Sequence, residues 1–256
     1  MWQALRTELH PLGVEIVTVS LELSGPEASR PFIEAAHPEH PSLLDPTHRM
    51  DALFGVVNIP NVIWIDENGV IVRPAEPGWP GETVYPESMR QMLAERARAV
   101  AEAPKADAPP RPDLIKLLSG GQDRAAYPDA IRDWAHNGTS SLYAMSPDEV
   151  VAASQPRGME QSRAAAHFEL ANHFWRSGQR EAAIRHFNEC HRLQPDNWTY
   201  KRQAWSLVGN ERVGGGDFGR FSQVPVPGEE ADWPFASNFD ADVAKLEPGQ
   251  YYPNTF

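Results

Sequence analysis

The chain is almost without cysteine: its 256 residues contain one, Cys190. A single thiol cannot form an internal disulfide, a CxxC redox pair or a four-thiolate metal site. Only His186 and His191 lie near enough in sequence to lower its pKa, so we predict a buried structural thiol and not a nucleophile. His37, His40 and His48 lack a thiolate or carboxylate at a fixed spacing, which favours a solvated loop over a metal site.

Positive charge and long apolar runs are also scarce. The chain has 23 Lys and Arg against 35 Asp and Glu, a formal net charge of −12. An acidic surface repels phosphate backbones, so we expect no nucleic-acid partner. No apolar run approaches the roughly 18–20 residues that cross a bilayer, and the first residues lack the pattern of a signal peptide. If that N-terminus is the natural one, the expected location is cytoplasmic.

Helix and strand patterns alternate over residues 1–102. The order is typical of an α/β domain with a mixed sheet and helices on both faces. Glu67-Asn68-Gly69 joins two apolar runs and predicts a hairpin in which both Asn68 and Gly69 accept positive φ. The predicted helices are Met1–His10, Ser29–Ala36 with Pro31 in its first turn, His48–Phe54 capped from Asp45–Thr47, and Pro86–Ala103. The predicted strands are Val14–Leu21, Ser42–Leu44, Asn61–Asp66 and Val70–Arg73.

The rest of the chain changes in composition. Residues 103–112 read as a Pro-rich linker. The pattern of residues 113–157 indicates a connecting region, with short predicted helices at Leu114–Leu118, Tyr127–His136 and Pro147–Ala153. Residues 158–209 are strongly helical, and residues 210–256 form an irregular tail rich in Gly, Pro and aromatic residues. We expect the tail to pack back onto the protein through Phe218, Phe221, Trp233, Phe235, Phe239, Tyr251 and Tyr252.

The segment Phe54-Gly-Val-Val-Asn-Ile-Pro-Asn-Val-Ile-Trp-Ile-Asp-Glu-Asn-Gly69 resembles the thioredoxin superfamily, in particular its ResA/TlpA and AhpC/TSA branch of redoxins. With the order of elements before it, the resemblance covers residues 1–102. It implies a cis peptide bond before Pro60. It also implies a substrate cleft shaped by Ile59, Pro60 and Asn61, although the family usually has Thr where Asn61 stands.

The sequence departs from this family at the redox motif. In the family a strand leads into a Trp-Cys-x-x-Cys motif at the start of a helix, whose dipole lowers the thiol pKa. Residues 1–10 resemble the later turns of that helix, so we expect the nucleophile upstream of Met1 and no catalytic residue within this chain. A selenocysteine codon read as a stop would explain such a truncation. The other interpretation is an incomplete relic of the domain.

A second resemblance lies in the helical region. Ala164–Asn197 is similar to a single tetratricopeptide repeat of 34 residues. The matching positions are Leu170, Ala171, Phe174, Gly178, Ala183, Phe187 and Pro195, with His167 in place of the first aromatic residue. Trp198–Leu207 would supply a capping helix. A lone repeat cannot bury its own face, so we expect it to pack against the rest of the chain.

Two functional hypotheses follow. The first is a redox protein that exchanges thiol–disulfide or selenol equivalents, or reduces peroxides, and that is inactive as this chain alone. Its substrate would be a protein thiol, a disulfide or a peroxide, with no cofactor and no metal. The second is a non-catalytic adaptor that binds a protein partner through the thioredoxin-like core and the tetratricopeptide-like unit. The presence of an upstream thiolate or selenolate separates the two.

Overall fold

A computed structural model of the chain describes residues 2–81, 91, 126–154, 157–213, 220–225, 228–247 and 249–253. Its strands are β1 (Thr18–Ser20), β2 (Ser42–Leu44), β3 (Asn61–Ile65) and β4 (Ile71–Pro77). Its helices are α1 (Trp2–Leu9), α2 (Pro26–Ala36), α3 (Arg49–Phe54), α4 (Ala126–Asn137), α5 (Pro147–Ser154), α6 (Met159–Arg176), α7 (Arg180–Leu193), α8 (Trp198–Val213) and α9 (Phe239–Val243). The fold class is therefore mixed α/β, with helix predominating. The linker, Leu114–Leu118, Phe218 and all of the predicted helix Pro86–Ala103 except Gln91 lie outside the described residues.

The predicted hairpin is confirmed, with a different turn. Strands β3 and β4 pair antiparallel, and Asp66 N–H donates to the Val70 carbonyl at 2.9 Å. Of the two residues predicted to have positive φ, only Gly69 does, at +77°. Asp66 Oδ1 accepts from the backbone N–H groups of Asn68 and Val70 at 2.9 and 2.8 Å. The Asp66 carboxylate therefore holds the turn, and Asn68 does not need the left-handed conformation.

Strand β4 continues past the predicted end at Arg73 by way of a shift in register. Val62 pairs with Glu76, but Trp64 pairs with Arg73, so the pairing register of the two strands shifts by one residue between these pairs. Pro74 lies within the shifted stretch and has no N–H to donate to a ladder. The irregularity lets the strand accommodate Pro74 and continue to Pro77.

The sheet is divided, where the sequence predicted one mixed sheet. Strands β1 and β2 form a separate parallel pair, Thr18–Ser20 against Ser42–Leu44. The prediction Val14–Leu21 was too long, because only three of its residues find a hydrogen-bonding partner strand. Within the described residues, β1 and β3 each keep one edge that pairs with no strand.

Helix α2 also differs from its prediction. It begins at Pro26, immediately after Gly25 at φ +88°, and not at Ser29. Pro26 therefore takes the first-turn position that suits proline, because the N–H it lacks is unpaired at that position in any helix. Pro31, predicted in the first turn, lies inside the helix.

A first core joins α1, the hairpin and α4. Leu5 and Leu9 of α1 pack with Trp64 of β3 and with Tyr127 and Ile131 of α4. The Trp64 indole N–H donates to the Tyr127 hydroxyl at 2.9 Å, which satisfies the polar end of a ring that is 3% exposed. Trp64 therefore belongs to the same core as α1 and is bonded directly to α4.

The helical hairpin of α6 and α7 turns at Gly178, whose φ is +78° and whose N–H donates to the Trp175 carbonyl. Ala171, Ala183 and Phe187 are fully buried, as the repeat pattern predicts. The two alanines allow the helices to approach closely. Leu170 is instead 44% exposed. The assignment of a tetratricopeptide repeat therefore stays a prediction, since one position of its pattern is exposed.

The tail packs on this helical hairpin as expected. Phe235, Phe239, Tyr251 and Tyr252 belong to the same buried cluster as α6, α7 and α8, and Trp79 from the end of β4 joins it. The rings of Trp79 and Tyr252 meet edge to face at 4.9 Å between centroids. Trp79 therefore connects the α/β region to the apolar core of the helical region, which is separate from the first core. None of the described helices is both long and apolar enough for a membrane span.

We predict that Gly78→Ala destabilises the protein by about 1–3 kcal/mol, the usual effect of forcing an extra group into a packed site. A Cβ at Gly78 would lie 2.5 Å from Tyr127 Cζ and 2.7 Å from Val62 Cγ2. Urea unfolding measures the change. The control is Gly158→Ala, whose Cβ meets only the mobile end of the Gln161 side chain. Equal stability of the two variants would contradict the close packing of Gly78.

Candidate functional site at the cis-proline loop

Helix α8 brings together two loops of the α/β region. At its N-terminus, Trp198 N–H donates to the Val57 carbonyl at 2.7 Å. One turn later Gln203 donates through Nε2 to the Leu21 carbonyl at 2.9 Å and accepts from Leu23 N–H at 3.3 Å. Helix α8 therefore bonds both segments of the α/β region: its first N–H group binds the loop before β3, and the Gln203 side chain binds the residues that follow β1.

The three residues that the resemblance places in a substrate cleft lie where this loop enters β3: Ile59 and Pro60 end the loop, and Asn61 is the first residue of the strand. The Ile59–Pro60 peptide bond is cis, as expected. Ile59, Pro60 and Asn61 are each partly exposed. The Asn61 side-chain oxygen is buried and accepts no hydrogen bond within the described part of the chain. The structure thus presents these residues together, at the amino end of β3.

The chain's own C-terminal tail covers one side of this loop. The Tyr252 hydroxyl donates to the Ile59 carbonyl at 2.9 Å, and Asn58 Nδ2 donates to the Tyr251 carbonyl at 2.7 Å. Arg202 of α8 makes a longer contact to the same Ile59 carbonyl, at 3.4 Å. The aromatic composition of the tail predicted that it packs back, but nothing in the sequence identified the loop as its target.

Cys190 lies away from this loop, in the core. It is fully buried on α7. Burial raises the pKa of the thiol well above its usual value, and the nearby Asp51 carboxylate raises it further. A thiol of this kind stays protonated and inaccessible, so the prediction of a structural cysteine is confirmed.

A second polar cluster lies buried between α3 and the helical region. His48 is 1% exposed, and burial lowers its pKa to about 4. Neither of its ring nitrogens has a hydrogen-bond partner among the described residues. The prediction that His48 and His40 lie in a solvated loop was wrong, because both are buried. The rings of Phe168 on α6 and Tyr200 on α8 pack against His48. His37 is exposed as expected.

Asp51 forms the acidic part of this cluster. It is fully buried, and its Oδ1 accepts from Asn197 Nδ2 at 3.2 Å. Burial raises the pKa of Asp51 to about 7, while Asn197 and the more distant Arg157 act in the opposite direction. Sequence reasoning missed Asp51, because an acidic residue in a short helix is normally exposed. Over the described residues, no three His, Cys, Asp or Glu side chains are arranged to hold a metal ion.

Comparison of the chain with protein-family models, with curated proteins and with solved structures gives no match.

We predict that Cys190 does not react with a thiol reagent such as Ellman's reagent in the native protein and reacts fully after unfolding in guanidinium. Its burial excludes the reagent, and its raised pKa keeps the thiolate population small. Absorbance measured with and without denaturant checks this. Rapid reaction of one thiol in the native state would contradict the buried position.

We predict that Asp51→Asn stabilises the protein more at pH 8 than at pH 5. The folded pKa of about 7 lies above the ordinary 3.8, so the unfolded state loses its proton first as pH rises. Wild-type stability therefore falls between about pH 4 and pH 7 and then levels. At 1.36 kcal/mol per pKa unit, the advantage of the variant should grow by about 3 kcal/mol between pH 5 and pH 8.

Urea unfolding at the two pH values measures this difference. The neighbouring titratable groups are His48 and Asp45 beside α3, Cys190 on α7, Tyr200 on α8 and Arg157. His48 remains in both proteins, so its own titration cancels in the comparison. The control is Glu169→Gln, an exposed carboxylate on α6. A pH-independent difference for Asp51→Asn would show that its carboxylate ionises normally.

Proposed function

We propose that this chain is the larger part of a thioredoxin-like redox protein of the thiol–disulfide oxidoreductase or peroxide-reducing type. Its nucleophile, a cysteine or selenocysteine, lies in a segment that precedes Met1. The observations that carry the proposal are the cis Ile59–Pro60 bond and the hydrogen bonds by which α8 holds both the loop before β3 and the residues after β1.

The arrangement of the strands supports this proposal. Strand β1 is parallel to β2 and β3 is antiparallel to β4, and within the described residues β1 and β3 each have an edge without a partner strand. A thioredoxin-like sheet would have a further strand at these edges, parallel to β1 and antiparallel to β3. That strand would end beside Leu21 and Ile59, which is where a thioredoxin-like nucleophile is expected to follow its strand.

The chain's own residues would bind and orient the substrate. The Ile59 carbonyl is a backbone acceptor next to Pro60, and both Ile59 and Asn61 are partly exposed. An extended substrate segment can donate N–H groups to such acceptors. Attack of the thiolate or selenolate on a substrate disulfide would form a mixed disulfide and release one substrate thiolate.

The adaptor hypothesis remains the second candidate, and one observation favours it. The Ile59 carbonyl already accepts a hydrogen bond from Tyr252 at 2.9 Å, so the chain's own tail takes a position that a substrate would need. The described residues also contain no accessible thiol, since Cys190 is fully buried. A protein that only binds a partner needs neither an open loop nor a nucleophile.

The natural protein, isolated from its source, distinguishes the two candidates. We expect an intact mass larger than that of residues 1–256 and a second reactive thiol or a selenol besides Cys190. We also expect reduction of insulin disulfides, measured as turbidity in the presence of dithiothreitol. The control is the same protein with the new nucleophile replaced by serine, which should lose this activity.

A mass equal to that of residues 1–256, with Cys190 as the sole thiol, would contradict the redox proposal and support the adaptor. A larger protein without a thiol or selenol in the added segment would have the same consequence, because the chemistry requires an anionic sulfur or selenium.

A further inference from the structure

Arg202 carries a buried positive charge with no ion-pair partner among the described residues. The residue is 6% exposed. One terminal N–H group donates to the Tyr251 hydroxyl at 3.1 Å, and another makes the long contact to the Ile59 carbonyl. The rings of Phe221 and Tyr251 lie 5.4 and 6.0 Å from the guanidinium carbon. Within the same part of the chain, no carboxylate comes within 4.0 Å of it.

The preceding residue shows how a buried charge is compensated in this helix. Lys201 is equally buried, but its Nζ lies 2.7 Å from Asp242 Oδ2. Removing a charge from water costs several kcal/mol unless an opposite charge accompanies it. Arginine cannot lose its proton at ordinary pH, so Arg202 cannot escape this cost by becoming neutral.

The guanidinium group also has unused hydrogen-bonding capacity. It carries five N–H donors in a fixed planar fork, and the two contacts above use two of them. A planar fork matches the two oxygens of a carboxylate, or two oxygens of a phosphoryl group, in a bidentate pair. One of these donors lies 3.4 Å from the Ile59 carbonyl in the cis-proline loop, where Ile59 and Pro60 are partly exposed.

We propose that Arg202 is the centre of an anion-binding site beside the cis-proline loop. Its ligand is an anionic group with at least two acceptor oxygens, either a carboxylate or a phosphoryl group. Tyr251 orients the guanidinium group, and the Phe221 ring covers it. The site uses residues of this chain alone, so it does not depend on the redox proposal.

The test is binding of sodium phosphate and sodium acetate to the whole chain, with sodium chloride at equal ionic strength as the reference. We expect the calorimetric titration of the protein to saturate with at least one of the two anions. The same anion should raise the thermal unfolding midpoint, because it binds the folded state. A stronger response to acetate indicates a carboxylate ligand, and a stronger response to phosphate indicates a phosphoryl ligand.

Two variants and a control identify the residue. Arg202→Met should abolish the response and be no less stable than the wild type in chloride, because it removes an unpaired buried charge. Arg202→Lys keeps the charge but loses the fork, so affinity should fall at least tenfold. Arg176→Met, which removes an exposed charge from the end of α6, should bind as the wild type does.

The proposal is wrong if neither anion raises the unfolding midpoint of the wild type beyond the effect of sodium chloride. It is also wrong if Arg202→Lys binds the anion as tightly as the wild type. Should Arg202→Met fail to fold, the lysine variant and the wild-type titration still decide the question.

Discussion

The contact of α8 with the loops of the α/β region is the interaction on which the rest of the structure depends. Trp198 and Thr199 donate their N–H groups to the Val57 carbonyl, and Gln203 bonds both Leu21 and Leu23. The N-terminal amides of a helix need acceptors from outside the helix. In this protein a loop of the other region supplies one, so the start of α8 and the position of the cis-proline loop are fixed by the same bonds.

This contact explains why so many polar groups are buried near α8. Lys201, Arg202 and Gln203 are consecutive and all less than 9% exposed. A helix that touches the α/β region on one side and the tail on the other has little surface left for its polar residues. Each of these side chains therefore binds a specific partner, and Arg202 is the one whose charge stays without a counter-charge within the described residues.

The local features of the fold could be predicted from the sequence. Asp66 and Gly69 define the hairpin turn, Asp45 Oδ2 accepts from Met50 N–H at the start of α3, and Gly178 marks the helical turn. Each depends on residues close in sequence, whose backbone preferences act locally. The cis bond at Pro60 could be expected only from a family resemblance, since proline alone favours the trans form.

The long-range features could not be predicted. The burial of His48 and Asp51 depends on α6 and α8, which follow more than 100 residues later in the chain. The length of β1 is decided by the three residues of its partner strand and not by its own β-branched composition. The contact of the tail with Asn58 and Ile59 likewise depends on the way in which two distant segments meet, for which neither segment carries a local signal.

The distance along the chain between the tail and this loop has a consequence for biosynthesis. The Asn58–Tyr251 and Ile59–Tyr252 hydrogen bonds each join residues 193 positions apart. At a translation rate of about 5–20 residues per second, the loop is made roughly 10–40 seconds before the tyrosines that cover it. The hydrogen bonds that close the tail over the loop therefore cannot form until Tyr251 and Tyr252 have been made.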